Sequence, residues 1–182
     1  LINRSGKILK MVRDENIAWH AGKSMWGNYK NLNKNSIGIE LVNRGHQYGY
    51  QNYTKKQINK LVLLCKQLIK KYKIKRGLIL GHSDIAPLRK IDPGEKFPWK
   101  HLSLKGIGIY PKKMLNKQSS YPQPQIKRFL KNLHKIGYRY LNSNLNKKII
   151  KNFQRRYRPR KINGILDLET MKISQFLIKN QK

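Results

Sequence analysis

An amphipathic segment in the first half of the chain most constrains its fold. Thr54, a candidate N-cap, precedes apolar residues that recur every three or four positions, which predicts a helix with one buried face. Short apolar runs typical of strands flank this helix at residues 6–12, 35–42 and 77–81. Strands on both sides of a helix indicate a helix packed on a sheet, hence an α/β fold, and the order does not show how the strands pair. The fold we expect is a mixed central sheet flanked by helices. The apolar residues of the helix are Ile58, Leu61, Val62, Cys65, Leu68, Ile69 and Tyr72.

The second half of the chain has few glycines and a helical spacing of its apolar residues. Three helices are predicted there. The first ends at Gly137, a residue suited to the position after a helix, and the second stops before Pro159. The third begins near Asp167, a candidate N-cap. The pattern therefore predicts a small three-helix unit.

The 182 residues divide at a segment without periodicity. Residues 111–124 are polar and contain serine and proline, which predicts a linker. We therefore predict an α/β domain over residues 1–110 and a small helical domain over residues 125–182, which is close to the lower size limit for a domain.

The net charge of the chain, although large, does not by itself identify a class of binding partner. The chain has 41 Lys and Arg against 8 Asp and Glu, a net charge of +33. This charge is spread over both halves and accompanies no groove-reading motif, so no nucleic-acid partner is predicted. The single Cys65 excludes an intramolecular disulfide and a Cys-rich zinc site. No apolar run approaches the roughly 18 residues of a membrane-spanning helix.

Acidic residues are scarce, which draws attention to Glu40 inside the apolar run 35–42. A carboxylate in such a strand loses hydration unless it has a partner. Two interpretations stay open. Glu40 is either a functional carboxylate at a strand end in a cleft, or an edge-strand residue that faces solvent.

Residues 81–94 follow a predicted strand, where α/β folds place their sites. His82 and Asp92 could offer one nitrogen and one oxygen to zinc. Lys90 would then place an ammonium beside the metal, where it could stabilise an oxyanion. The alternative is a capped turn with a surface lysine.

His20 lies in a turn of small residues near Trp19 and Trp26. The residues alone leave two roles open for it: part of a binding groove, or a packed and hydrogen-bonded histidine.

Taken together, the motifs match a known family. The chain resembles the zinc-dependent N-acetylmuramoyl-L-alanine amidases of the type 2 amidase family, which share a fold with peptidoglycan-recognition proteins. The resemblance covers roughly residues 1–110. The second half is similar to the small three-helix peptidoglycan-binding domain, through Phe153-Gln154 and residues 163–167. The amidase motifs are residues 18–22 (AWHAG), 35–43 (NSIGIELVN), 81–87 (GHSDIAP), 89–94 (RKIDPG) and 97–99 (FPW).

The resemblance implies hydrolysis of the amide between N-acetylmuramic acid, or its anhydro form, and L-alanine of the peptidoglycan stem peptide. By position, His82 and Asp92 correspond to two of the three zinc ligands, Glu40 to the general base and Lys90 to the residue that stabilises the oxyanion. The family's third ligand, a His, is expected upstream of Leu1, so we expect the N-terminal segment to be missing. His20 is a candidate substitute for it.

The resemblance also implies partners. We expect a monomer that binds peptidoglycan or muropeptides, with Trp19, His20 and Trp26 as substrate-binding residues. The expected location is the periplasm or cell envelope, with the cytoplasm as the alternative. The alternative function is a non-catalytic peptidoglycan-binding protein, because one zinc ligand is absent from these 182 residues.

Overall fold

The computed structural model describes residues 1–111 and 125–180, so the predicted linker, apart from Pro111, lies outside the described residues. It confirms the α/β class, with a small two-stranded antiparallel sheet and seven α-helices in the described ranges. The strands are β1 (Met25–Trp26) and β2 (Tyr29–Lys30). The helices are α1 (Leu32–Asn35), α2 (Lys55–Tyr72), α3 (His82–Ile85), α4 (Trp99–Leu104), α5 (Ile126–Ile136), α6 (Asn146–Tyr157) and α7 (Leu168–Lys179), with 3-10 turns at His46–Tyr48, Arg76–Leu78 and Ser143–Leu145.

Helix α2 begins where its sequence predicts. The Thr54 hydroxyl oxygen accepts from the Gln57 backbone N–H at 3.1 Å, and the Gln57 side-chain oxygen accepts from the Thr54 N–H at 3.1 Å. This reciprocal capping box satisfies two N–H groups that a helix end otherwise leaves unpaired. The helix buries Ile58, Leu61 and Cys65 in a core that also contains residues of α4. The prediction of an amphipathic helix with a Thr54 cap is confirmed.

The three segments predicted as strands do not form regular strands. Residues 6–12 and 35–42 pair only at isolated bridges, with Ile2 antiparallel to Ile8 and parallel to Leu41. Residues 77–81 begin in the Arg76–Leu78 turn instead of a strand. A strand needs a continuous ladder of hydrogen bonds with a neighbour, and within the described residues these segments have too few paired groups to form one.

The three helices of the second half are confirmed. Gly137 ends α5 with a φ of 126°, and α6 ends at Tyr157 before the proline. The Asp167 carboxylate caps α7 by accepting from the Thr170 N–H at 2.9 Å. The Phe153-Gln154 motif is internal: Gln154 is fully buried and accepts from the Gly164 N–H at 2.9 Å.

The two halves share one hydrophobic core. Trp26 of β1 packs edge-on against Tyr138, with ring centroids 4.7 Å apart. Its indole also lies so close to Gly137 that a Cβ there would come within 2.6 Å of the ring, so only glycine fits. Ala21 and Leu32 of the first half belong to the same cluster as the apolar faces of α5, α6 and α7. The helical unit is therefore packed directly on the α/β unit.

A buried ion pair joins the halves beside this core. Asp84 in α3 pairs with Arg156 in α6, and both side chains are at most 4% exposed. The Asp84 carboxylate also accepts from the Gly81 N–H at 2.7 Å and from the Tyr138 hydroxyl at 2.6 Å. Buried charges persist only when they are paired and hydrogen-bonded in this way. The pair therefore fastens α3 to α6.

Candidate active site

His82, the first residue of α3, is held between two oxygen atoms. Its Nε2 lies 3.1 Å from the carbonyl oxygen of Ala21, and its Nδ1 lies 3.1 Å from Oδ2 of Asp92. A carbonyl can only accept a hydrogen bond, so Nε2 carries a proton and donates. The other ring nitrogen, Nδ1, faces the Asp92 carboxylate.

The His82–Asp92 pair matches part of a zinc donor set. Burial opposes ionisation of Asp92, but the hydrogen bond and charge of His82, together with the charge of Lys90, hold the pKa of this carboxyl below its ordinary value. A hydrogen bond between Nδ1 and the carboxylate joins the two groups, and a metal ion that bound both would take the place of its proton. Zinc accepts imidazole nitrogen and carboxylate oxygen as ligands. The pair supplies one of each.

Two tyrosines, Tyr50 and Tyr53, support the peptide next to Asp92. Their hydroxyls donate to the carbonyl oxygen of Pro93 at 2.6 and 2.9 Å. Burial raises the pKa of Tyr50 to about 12, so its hydroxyl stays protonated and remains a donor. The Ser83 N–H donates to the Asp92 carbonyl at 2.9 Å. Neither tyrosine is predicted from the sequence, because both lie in a stretch without a helical or strand period.

Glu40 and Asp92 both act on the pKa of Tyr53. Burial raises the pKa of Tyr53 first of all, and the neighbouring Tyr50 hydroxyl and the charges of Asp92 and Glu40 raise it further, so Tyr53 is within electrostatic reach of both carboxylates. The Glu40 carbonyl accepts from the Ile2 N–H at 2.7 Å, and its side chain is exposed. Within residues 1–111 and 125–180, no hydrogen bond or ion pair engages its carboxylate. The Glu40 carboxylate therefore faces solvent.

Lys90 lies between His82 and Asp92 in the sequence, and its charge acts on the Asp92 carboxyl. Its positive charge is one of the causes that lower the pKa of Asp92. The residue is half-buried, and its backbone N–H donates to the Ala86 carbonyl at 2.9 Å. In the described part of the chain its ammonium has no ion-pair partner, which leaves it available to a ligand.

The three residues predicted to bind substrate have different surroundings. Trp19 is 88% exposed. His20 is half-buried, and its Nε2 lies 3.3 Å from the Ser36 carbonyl. Its ring rests on Gly38, where a Cβ would come within 2.5 Å of the imidazole. Trp26 is only 5% exposed and belongs to the shared core, so little of its ring is accessible, and its role as a groove residue stays a prediction.

The described residues contain no group of three His, Cys, Asp or Glu side chains that could hold a metal. His20 therefore does not join His82 and Asp92, and its prediction as a substitute ligand is wrong: its imidazole is engaged against Ser36 and Gly38 instead. Over the same residues, no helix combines the length and apolar character needed to cross a bilayer.

Comparison with known proteins identifies relatives along the whole chain. Residues 1–95 match the family described as N-acetylmuramoyl-L-alanine amidase. The chain is 35% identical to the N-acetylmuramoyl-L-alanine amidase AmiD of Escherichia coli (strain K12), over 97% of its own length and 69% of that protein. It is 43% identical to the 1,6-anhydro-N-acetylmuramyl-L-alanine amidase AmpD of Enterobacter cloacae, over 54% of its own length and 51% of that relative.

Two solved structures share the fold at similar identity. One is the complex of E. coli AmiD with the substrate anhydro-N-acetylmuramic acid-L-Ala-D-gamma-Glu-L-Lys, with a TM-score of 0.86 and 34% identity over 98% of this chain and 75% of that one. The other is AmpDh3 from Pseudomonas aeruginosa, with a TM-score of 0.85 and 34% identity over 95% of this chain and 73% of that one. With these matches across both halves, the chain belongs to the N-acetylmuramoyl-L-alanine amidase family of hydrolytic enzymes.

Proposed function

We propose that the protein hydrolyses the amide between N-acetylmuramic acid, or its anhydro form, and L-alanine of the peptidoglycan stem peptide, with zinc as its cofactor. The observation that supports this most is the His82–Asp92 pair, in which a ring nitrogen and a carboxylate oxygen face each other at 3.1 Å. The AmiD relative is described with an anhydro-muramyl peptide as its substrate. The resemblance in residues 81–94 extends that chemistry to this chain.

His82 and Asp92 are the residues that would hold the metal. Zinc, when bound, would supply a Lewis acid that polarises the scissile carbonyl and makes a water molecule more acidic. Glu40, whose carboxylate is exposed, would accept the proton of the attacking water. The Lys90 ammonium would offset the negative charge that develops on the carbonyl oxygen.

Trp19 and His20 are the residues proposed to bind substrate. Trp19 would offer its exposed ring to the edge of the glycopeptide groove, with His20 beside it. We also propose that the helical unit contributes to wall binding. Because peptidoglycan is the expected substrate, the periplasm or cell envelope is the proposed location, with the cytoplasm as the alternative.

Product analysis tests this proposal. Full-length protein loaded with zinc is incubated with anhydro-N-acetylmuramic acid-L-Ala-D-γ-Glu-L-Lys, and the products are identified by mass spectrometry. We expect the free tripeptide and the anhydro sugar. Cleavage at a peptide bond within the stem would contradict the assigned reaction. Tight binding with intact substrate would show a non-catalytic peptidoglycan-binding protein instead.

A further inference from the structure

A single buried amide of helix α6 reaches the loop that carries the candidate site. Asn152 is 2% exposed. Its Nδ2 donates to the carbonyl of Pro87 at 2.6 Å and to the carbonyl of Lys90 at 2.9 Å. Its Oδ1 accepts from Nη1 of Arg155 at 2.8 Å, which orients the amide. Both amide hydrogens of Asn152 are therefore used on the site loop, defined as residues 86–92.

The two carbonyls belong to a tight turn within the site loop. The N–H groups of Arg89 and Lys90 both donate to the Ala86 carbonyl, at 3.0 and 2.9 Å. The turn satisfies these N–H groups internally, whereas the carbonyls of Pro87 and Lys90 depend on a donor from outside the turn. A buried carbonyl without a donor is costly, so removal of the amide would favour a rearranged turn.

The turn contains one proposed site residue, Lys90, and ends two residues before another, Asp92. The peptide that Asn152 holds at Lys90 sets the direction in which the Lys90 side chain leaves the backbone. Asp92 follows two residues later, and the carbonyl of its neighbour Pro93 is held by Tyr50 and Tyr53. The amide and the tyrosines thus restrain the two ends of the segment 87–93.

We propose that Asn152 is a positioning residue of the active site, which holds the site loop so that Lys90 and Asp92 are correctly placed for zinc and substrate. This inference rests on the proposed function. It gives α6 a second role: besides its contribution to the core, the helix supplies part of the support of the active site. Groups that orient metal ligands typically change metal affinity or activity by about 10–100-fold when they are removed.

The test compares two buried asparagines of the helical unit. Asn152→Leu removes both hydrogen bonds to the site loop. Asn132→Leu is the matched control, because Asn132 is 9% exposed and donates to Ser174 at 2.9 Å within the helical unit. Three quantities are measured in the full-length protein: amide hydrogen exchange over residues 86–92, the zinc dissociation constant by chelator competition, and kcat and KM separately. Asn152→Ala is the second variant if Asn152→Leu does not fold.

We expect exchange at Arg89 and Lys90 to be at least about 10-fold faster in the Asn152 variant, with a zinc dissociation constant raised by about 10–100-fold and a lower kcat. The Asn132 variant is expected to lose stability but to keep all three values. Equal exchange rates and equal zinc affinities in the two variants would overturn the proposal. If the unaltered protein bound no zinc, the proposed function would fail, and the exchange rates alone would still decide whether Asn152 holds the loop.

Discussion

The Glu40 carboxylate is exposed, and we propose it as the general base. Glu40→Gln keeps the shape of the side chain and removes its basicity. We expect the variant to retain zinc while turnover falls by about 10²–10⁴-fold, the usual contribution of a positioned base. Bound zinc and amide hydrolysis are measured together, with Glu15→Gln as the control at another exposed carboxylate. Near-full activity with zinc bound would make Glu40 a structural residue.

Single residues also mark the limit of what the sequence reveals. His82, Asp92, Lys90 and Glu40 were predicted because a resemblance placed them in known motifs. The closeness of Trp26 to His20 in the sequence gives no sign that the Trp26 ring points into the core between the halves. Tertiary packing decides which face of a short turn is exposed, and the local sequence pattern does not predict that face.

At the scale of elements, the N-terminus of α7 depends on an ionised cap. Burial opposes ionisation of Asp167, but hydrogen bonds from Thr170 and the charge of Arg158 hold its pKa below the ordinary value. A carboxyl with a lowered folded-state pKa stabilises the protein above its unfolded pKa of about 3.9, and this contribution disappears as the pH falls through the folded value.

Asp167→Asn keeps a capping side chain and removes the charge. We expect its free energy of unfolding to fall less steeply below about pH 4 than that of the unaltered protein. Denaturant unfolding at pH 7 and at pH 3 measures the difference. Asp167→Ala, which removes the cap as well, should cost about 1 kcal/mol more than Asp167→Asn at pH 7. Identical pH slopes for the unaltered protein and Asp167→Asn would contradict the ionised cap.

Helices were predicted better than strands for a physical reason. The residues that begin or end these helices act within one turn, so their partners are neighbours in the sequence. They are Thr54, Gly137 and Asp167. The predicted strand at residues 77–81 had no such local determinant. The Ile79 carbonyl accepts from Arg156 of α6 at 3.0 Å, a contact between residues far apart in sequence.

At the scale of the whole molecule, the Asp84–Arg156 pair couples the two halves. Arg156→Leu leaves a buried carboxylate without its cation and should lower the free energy of unfolding by about 3 kcal/mol. The control is Arg160→Leu, since Arg160 pairs with Glu169 at the surface and is 70% exposed, so the expected loss is below about 1 kcal/mol. Because the core is shared, near-UV circular dichroism should show one transition. Two transitions, or equal losses in the two variants, would contradict the coupling.

The net charge of +33 predicts attraction to a wall polymer that bears carboxylates. Exposed charges are screened over about 8 Å at physiological ionic strength, so binding should weaken as salt is added. Sedimentation with purified sacculi at low and high salt measures this, and neutral cellulose is the control polymer. Sacculus binding that does not change with salt would show that the lysines have no electrostatic role in wall attachment.

The central claim is that His82 and Asp92 hold the zinc used for hydrolysis of the muramyl amide, and chelation followed by metal return tests it most directly. Full-length protein is treated with a chelator, zinc is restored, and both bound zinc and release of tripeptide from the anhydro-muramyl substrate are measured. We predict loss of activity on chelation and recovery with zinc, and neither bound zinc nor recovery in His82→Ala or Asp92→Ala. Hydrolysis that survives chelation, or His82→Ala protein that binds zinc as tightly as the unaltered protein, would contradict the account.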